Sequence, residues 1–157
     1  MKELPGQTMV RAAEERDIPA LLRLYAELAP EDPMLDAMRA AASWKALLRY
    51  DGSAIFLIEV AGEPVSTCTL VVIPNLTRGG APYALVENVV TAASHRRSGL
   101  GSRVLDHAVS TAWQCGCYKV MLMTGSKRPE TLAFYERCGF ERTKTGFERR
   151  RLSKRRE

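Results

Sequence analysis

The sequence predicts a mixed α/β (α+β) domain of about seven strands and about four helices, a single sheet with helices packed on it. Three observations predict it. Apolar residues recur at helical spacing in four segments. Runs rich in β-branched residues alternate with them. Glycine and proline punctuate the junctions. At 157 residues the chain fits one domain, 1–157, long enough to bury a continuous core. Hydrophobic residues at 46% and charged residues at 26% exclude a disordered class. No apolar run approaches the roughly 20 residues of a membrane helix, so no membrane partner is expected. Met1 to Val10 lack the apolar core of a signal peptide, so the expected compartment is the cytoplasm.

Thr8 to Ala12 reads as a short first strand. Asp17 looks like an N-cap, and Ile18, Leu21, Leu22, Tyr25 and Leu28 follow at helical spacing. Pro19 fits the first turn, and Ala29-Pro30 ends the helix. Asp32-Pro33 opens a second helix, with Leu35, Met38, Ala42 and Leu48 on its apolar side. Trp44 lies slightly off that line. Core packing is preferred for it over a position facing a cleft. Ala54 to Val60 is an almost continuous apolar run, hence a strand covered on both faces. Ala61 to Pro64 turns the chain into a strand from Val65 to Ile73. Pro74 to Pro82 is a loop, and Tyr83 to Thr91 the next strand. Gly99 to Trp113 is a helix with Leu100, Val104, Leu105, Ala108, Val109 and Ala112 on one face, stopped by Gly116. Lys119 to Thr124 is a strand, and Pro129 to Cys138 a short helix closed by Gly139. The remaining residues make a hairpin turning near Thr145-Gly146.

The net charge of +5 sits entirely in residues 141–157, which hold eight Lys or Arg against three Glu. A basic tail can bind an anionic partner. Phe147 is its only aromatic residue, too thin for a stacking platform, so no nucleic-acid partner is expected. The four cysteines read as reduced thiols. Cys115-Gly-Cys117 lacks a second ligand pair, so no metal site is expected.

The segment that carries chemistry is Arg96-Arg97-Ser98-Gly99-Leu100-Gly101. A helix N-terminus has unpaired N–H groups and a partial positive charge. Glycines let the backbone curve so that several N–H groups converge on an anion. A phosphate or pyrophosphate is the natural ligand. The spacing is neither the dinucleotide fingerprint nor a nucleotide P-loop. Read alone, the glycines also allow a plain helix cap.

Three stretches together resemble the GCN5-related N-acetyltransferase superfamily. They are Glu87-Asn88-Val89-Val90-Thr91, Arg96 to Gly101, and Ala133-Phe134-Tyr135-Glu136-Arg137-Cys138-Gly139-Phe140. Their order and spacing agree with that family from Val10 to about Leu152. The resemblance implies a mostly antiparallel sheet splayed between strands 4 and 5, and acetyl-coenzyme A as co-substrate. It implies that the pantetheine arm pairs with Val89, Val90 and Thr91. The pyrophosphate would meet N–H groups of Arg96, Arg97, Ser98, Gly99, Leu100, Gly101 and Ser102. The thioester would lie near Thr124 and Tyr135. Phe134 packs or touches the cofactor. Many members carry Asn where this chain has Arg128; Ser126 could substitute for it, or Lys127 and Arg128 could meet a phosphate instead.

Acetyl transfer needs a neutral amine, a held thioester and a proton for the leaving thiolate. By the resemblance, Tyr135 is the general acid. Glu87 is the candidate base, directly or through water, and Asn88 could orient the substrate or a water. A backbone N–H of strand 4 is the expected oxyanion donor. The expected acceptor is a primary amine on a small molecule, attacked directly in a ternary complex. A peptide or lysine acceptor and a non-catalytic coenzyme A-binding module are the alternatives. Dimers are common in the family, so a homodimer is an expectation that comes with the resemblance.

Overall fold

The computed structural model describes residues 8–152. Its elements run β1 (Val10–Ala12), α1 (Ile18–Leu28), α2 (Ala37–Leu47), β2 (Ala54–Val60), β3 (Glu63–Ile73), β4 (Tyr83–Thr91), α3 (Leu100–Gln114), β5 (Val120–Leu122) and α4 (Pro129–Arg137). Short 3-10 turns occur at Glu15–Asp17, Arg78–Gly80 and Ala93–His95. The sheet keeps chain order, β1-β2-β3-β4-β5. The first three pairings are antiparallel and β4–β5 is parallel.

Period-two alternation divides the core between the two faces of the sheet. Ile55 and Leu57 of β2 pack with Leu21 of α1 and Trp44 of α2. Phe56 and Ile58 point the other way and join Cys68 and Leu70 of β3 and Leu100, Val104, Leu105 and Ala108 of α3. The continuous apolar run of β2 is thus covered on both faces, as its composition demands. Trp44 is 8% exposed, so it is a core residue.

Four expectations are corrected. The sheet has five strands among the described residues, not about seven. No final hairpin forms among the described residues: Glu141 to Arg150 carry no strand and every one of these residues is exposed. That segment brings one large apolar side chain, Phe147, 93% exposed. Pairing it would bury too little apolar surface to offset its ordering entropy. Lys154, Arg155 and Arg156 of the basic tail lie outside the described residues, as do Met1 to Gln7.

The second helix starts at Ala37, where the Asp36 carboxylate accepts from Arg39 N–H at 2.9 Å. An aspartate three residues before a free N–H makes a cap; Asp32-Pro33 stays in the connection. Leu35, Met38 and Leu48 are exposed, and Ala40 and Trp44 form the buried side. Asp17 precedes α1 but makes no side-chain cap. Its carboxylate takes two bonds from the Arg11 guanidinium, at 2.7 and 2.9 Å, and one from Glu14 N–H at 2.7 Å. Arg11 also reaches Glu59. A buried carboxylate prefers a fork of charged donors to a single amide. These bonds hold the Asp17 pKa below the ordinary carboxyl value, Arg11 contributing most.

No helix among the described residues is long and apolar enough to cross a membrane.

Candidate active site

The site grows out of a defect in β4. From Tyr83 to Glu87 the register with β3 is regular; then one residue of β3, Cys68, stands against two of β4, Asn88 and Val89. Pairing resumes at Thr67↔Val90. This is a β-bulge. Asn88 takes φ 52°, a left-handed conformation that asparagine tolerates better than most residues. On the other side, the pairing of β4 with β5 stops at Val86↔Leu122. Beyond Val86 the β5-facing edge of β4 therefore has no strand partner among the described residues.

The chain then turns from strand to helix. Ala92 N–H donates to Val65 C=O at 2.8 Å, and His95 N–H to Ala92 C=O at 2.8 Å. Arg97 takes φ 60° and Gly99 φ 80°. Two left-handed residues, separated by Ser98 and the second at the N-cap of α3, curl the backbone toward the helix start. The N–H groups of Leu100, Gly101 and Ser102 fall in the first turn, where a helix supplies no acceptor. Ser98 Oγ donates to His95 C=O and fixes the curl. Gly101 is glycine for a different reason: a Cβ there would sit 3.2 Å from the Phe134 ring and 3.4 Å from Thr91 Oγ1.

That contact brings the third motif to the loop. Phe134 and Tyr135 of α4 pack on the α3-side core, their rings 5.1 Å apart. Cys138 Sγ lies 3.5 Å from Ser102 Oγ, joining the end of α4 to the start of α3. Thr91 Oγ1 is 2.9 Å from Ser66 Oγ. Burial pushes the Tyr135 pKa above its ordinary value, and the nearby Glu87 carboxylate adds to the shift. Its hydroxyl has no hydrogen-bond partner among the described residues, and it keeps its proton at neutral pH. Burial also pushes the Cys68 thiol up to about 12, so it stays a neutral core side chain.

The remaining candidates fall into two groups. Glu87 and Asn88 are exposed, and Glu87 makes no ion pair among the described residues. Thr124 is exposed, and its Oγ1 accepts from Ser126 N–H at 3.2 Å. Ser126 Oγ accepts from Arg128 N–H at 3.3 Å and lies 3.4 Å from Thr131 Oγ1, organising the start of α4. Arg128, at the position where many similar chains have Asn, bonds Glu130 at 2.7 Å. Arg96 is engaged internally. Its Nε donates to Thr91 C=O at 3.1 Å, its N–H to Ala93 C=O at 3.5 Å, and its guanidinium lies 3.7 Å from Glu27. Glu27 and Ser66 were not singled out from the sequence, and Cys138 was read only as part of the third motif. They are ordinary residues whose importance comes only from what they touch.

The family model described as Acetyltransferase (GNAT) family matches residues 18–140. The chain is 32% identical over 133 residues to the glucosamine 6-phosphate N-acetyltransferase of Trypanosoma brucei brucei, across 83% of this chain and 87% of that one. It is 38% identical over 113 residues to the probable glucosamine 6-phosphate N-acetyltransferase 2 of Oryza sativa subsp. japonica, across 69% and 66% of the two chains. A solved structure described as a putative acetyltransferase from Agrobacterium tumefaciens str. C58 superposes with a TM-score of 0.86 at 48% identity, covering 91% of this chain and 99% of that one. Fold and relatives define an acyltransferase. The chain belongs to the acetyltransferase (GNAT) family, whose enzymes use acetyl-CoA.

Proposed function

We propose that this protein moves the acetyl group of acetyl-CoA directly onto a primary amine of a small molecule in a ternary complex. The observation that carries the proposal is the half of β4 with no partner on its β5 side, running straight into the left-handed loop and helix start. An edge with free main-chain groups pairs with an extended, amide-bearing arm as an added strand would, whatever the side chains. The pantetheine arm is such a group, and Val89, Val90 and Thr91 would hold it. The pyrophosphate fits the N–H groups from Arg97 to Ser102, with the Arg97 side chain adding charge. Arg96 shapes this site from beneath, while Phe134 closes the floor under Gly101. Thr124 and Ser126 border the acyl end.

The co-substrate supplies an activated acyl carbon. Glu87, directly or through water, takes the proton of the incoming ammonium, because only the neutral amine attacks. A β4 N–H beside the bulge steadies the carbonyl oxygen as the C–N bond forms. Tyr135 gives its proton to the departing sulfur as the C–S bond breaks. A tyrosine whose pKa lies above its usual value holds that proton at neutral pH and yields it to a thiolate being released. The two relatives above are named for glucosamine 6-phosphate, which makes that amine the first acceptor to try. We place the protein in the cytoplasm, as one domain.

The test is steady-state turnover of acetyl-CoA with glucosamine 6-phosphate, unphosphorylated amines and peptides. Turnover of a small amine above that of peptides is expected. Tyr135→Phe is expected to lower kcat by roughly 100-fold, the scale of general-acid catalysis, with KM for acetyl-CoA little changed. Wild-type turnover by Tyr135→Phe removes Tyr135 from its role, and peptide-only turnover removes the small-molecule reading.

A further inference from the structure

Glu27 stands out among the carboxylates outside the reacting centre. It lies in the last turn of α1, where the helix dipole disfavours an anion and no basic residue of that turn offsets it. Its compensation comes from another part of the chain, 66 residues away. Its carboxylate accepts from Ala93 N–H at 2.8 Å and lies 3.7 Å from the Arg96 guanidinium. Ala93 opens the 3-10 turn that ends β4. Arg96 in turn grips Thr91 C=O at 3.1 Å.

These contacts form a strap. Thr91, the last residue of β4 and open on its β5 side, is tied to Arg96, the residue just before left-handed Arg97. Glu27 holds both the turn and the arginine from α1. An exposed ion pair at this distance adds little to overall stability. Its effect is on orientation: it fixes the direction in which the backbone enters the curl, and with it the aim of the N–H groups from Arg97 to Ser102.

Resting on the coenzyme A reading above, we infer that Glu27 is a positioning residue for cofactor binding, acting through Ala93 and Arg96 on the phosphate loop. Simple electrostatics predicts the opposite sign. Coenzyme A is a polyanion, so removing a nearby carboxylate should tighten its binding if Glu27 is only a neighbouring charge. A positioning role makes removal weaken it.

The experiment compares wild type, Glu27→Ala and Glu27→Gln by calorimetry with coenzyme A and by steady-state kinetics. Glu27→Ala is expected to raise the Kd for coenzyme A and KM for acetyl-CoA about tenfold, with kcat within about twofold and the melting temperature unchanged within about 2 °C. Glutamine keeps an acceptor for Ala93 N–H, so Glu27→Gln should lie within about threefold of wild type. Equal or tighter binding by Glu27→Ala, or a fall in kcat at constant KM, overturns the inference while leaving the proposed function intact. Wild type that binds no coenzyme A overturns the proposed function itself and this inference with it.

Discussion

The two halves of β4 belong to one strand and have different physics. Tyr83 to Val86 pair with β3 on one side, and Ala84 to Val86 pair with β5 on the other. Ala84 and Val86 are 0% and 1% exposed. Glu87 to Thr91 keep β3 but lose β5, and the bulge at Asn88-Val89 resets the register. The first half is scaffold, paired on both sides and anchored by the buried Ala84 and Val86. The second half has no partner on its β5 side at the place where the chain turns into the left-handed loop at Arg97 and Gly99. An open edge is made by ending one pairing early, and the scaffold half keeps the strand in place.

The contrast is most sharply broken in the loop that the second half feeds. Gly99→Glu forces a side chain onto φ 80° and puts negative charge at the helix N-terminus. The space itself is open, with nothing within 4 Å of a Cβ there, so packing survives. Coenzyme A affinity should fall by at least roughly 100-fold, left-handed strain and anion repulsion acting together. Calorimetry on folded variant checks it, and near-wild-type affinity refutes the site.

Asp17, remote from β4, should give the next effect. Asp17→Asn breaks its charged bonds to Arg11 and should cost about 2–3 kcal/mol at pH 7. Because the folded pKa of Asp17 is depressed, its contribution is complete above the unfolded value of about 3.9 and is lost as pH falls through the lower, folded value. The gap between wild type and variant in urea unfolding should therefore close below about pH 4. A gap that persists there shows that the carboxylate charge is not its source.

The two halves of β4 can also be separated directly. Val86→Ala should cost about 2 kcal/mol through lost burial and the cavity left behind, with KM for acetyl-CoA unchanged. Asn88→Val places a β-branched side chain at φ 52°, costs about 1–2 kcal/mol, and should also raise KM by disturbing the open edge. Glycine at position 88 should be close to neutral. If both variants alter stability and KM alike, the distinction between scaffold and binding halves is wrong.

Where the sequence was legible, the signal was local. The limits of β2 and β4, and the start of α4 at Pro129, follow from runs, turns and proline placement within a few residues. Gly99 and Gly116 announce the two ends of α3. The order and spacing of the three motifs pointed to the family that the comparison then showed. The errors have equally specific causes. Asp17 and Asp32-Pro33 carry capping chemistry, but Arg11 claims the first and Asp36 replaces the second. Thr145-Gly146 can turn a chain, yet the segment around it lacks the apolar side chains that would make a hairpin worth forming on this sheet. An asparagine in a strand interior is a weak strand former, and that oddity was the available sign of the bulge.

By itself, the sequence determined the element order as far as α4, the two-faced burial of β2 and the glycine-bearing helix start, because each depends on neighbours within one turn or one pleat. The tertiary structure decided what those pieces meet. Phe134 beneath Gly101, Cys138 beside Ser102 and Glu27 against Ala93 join residues tens of positions apart. No local propensity encodes such contacts. They exist because α1 and α4 both reach the segment from Ala93 to Ser102, and packing depends on the whole set of elements at once.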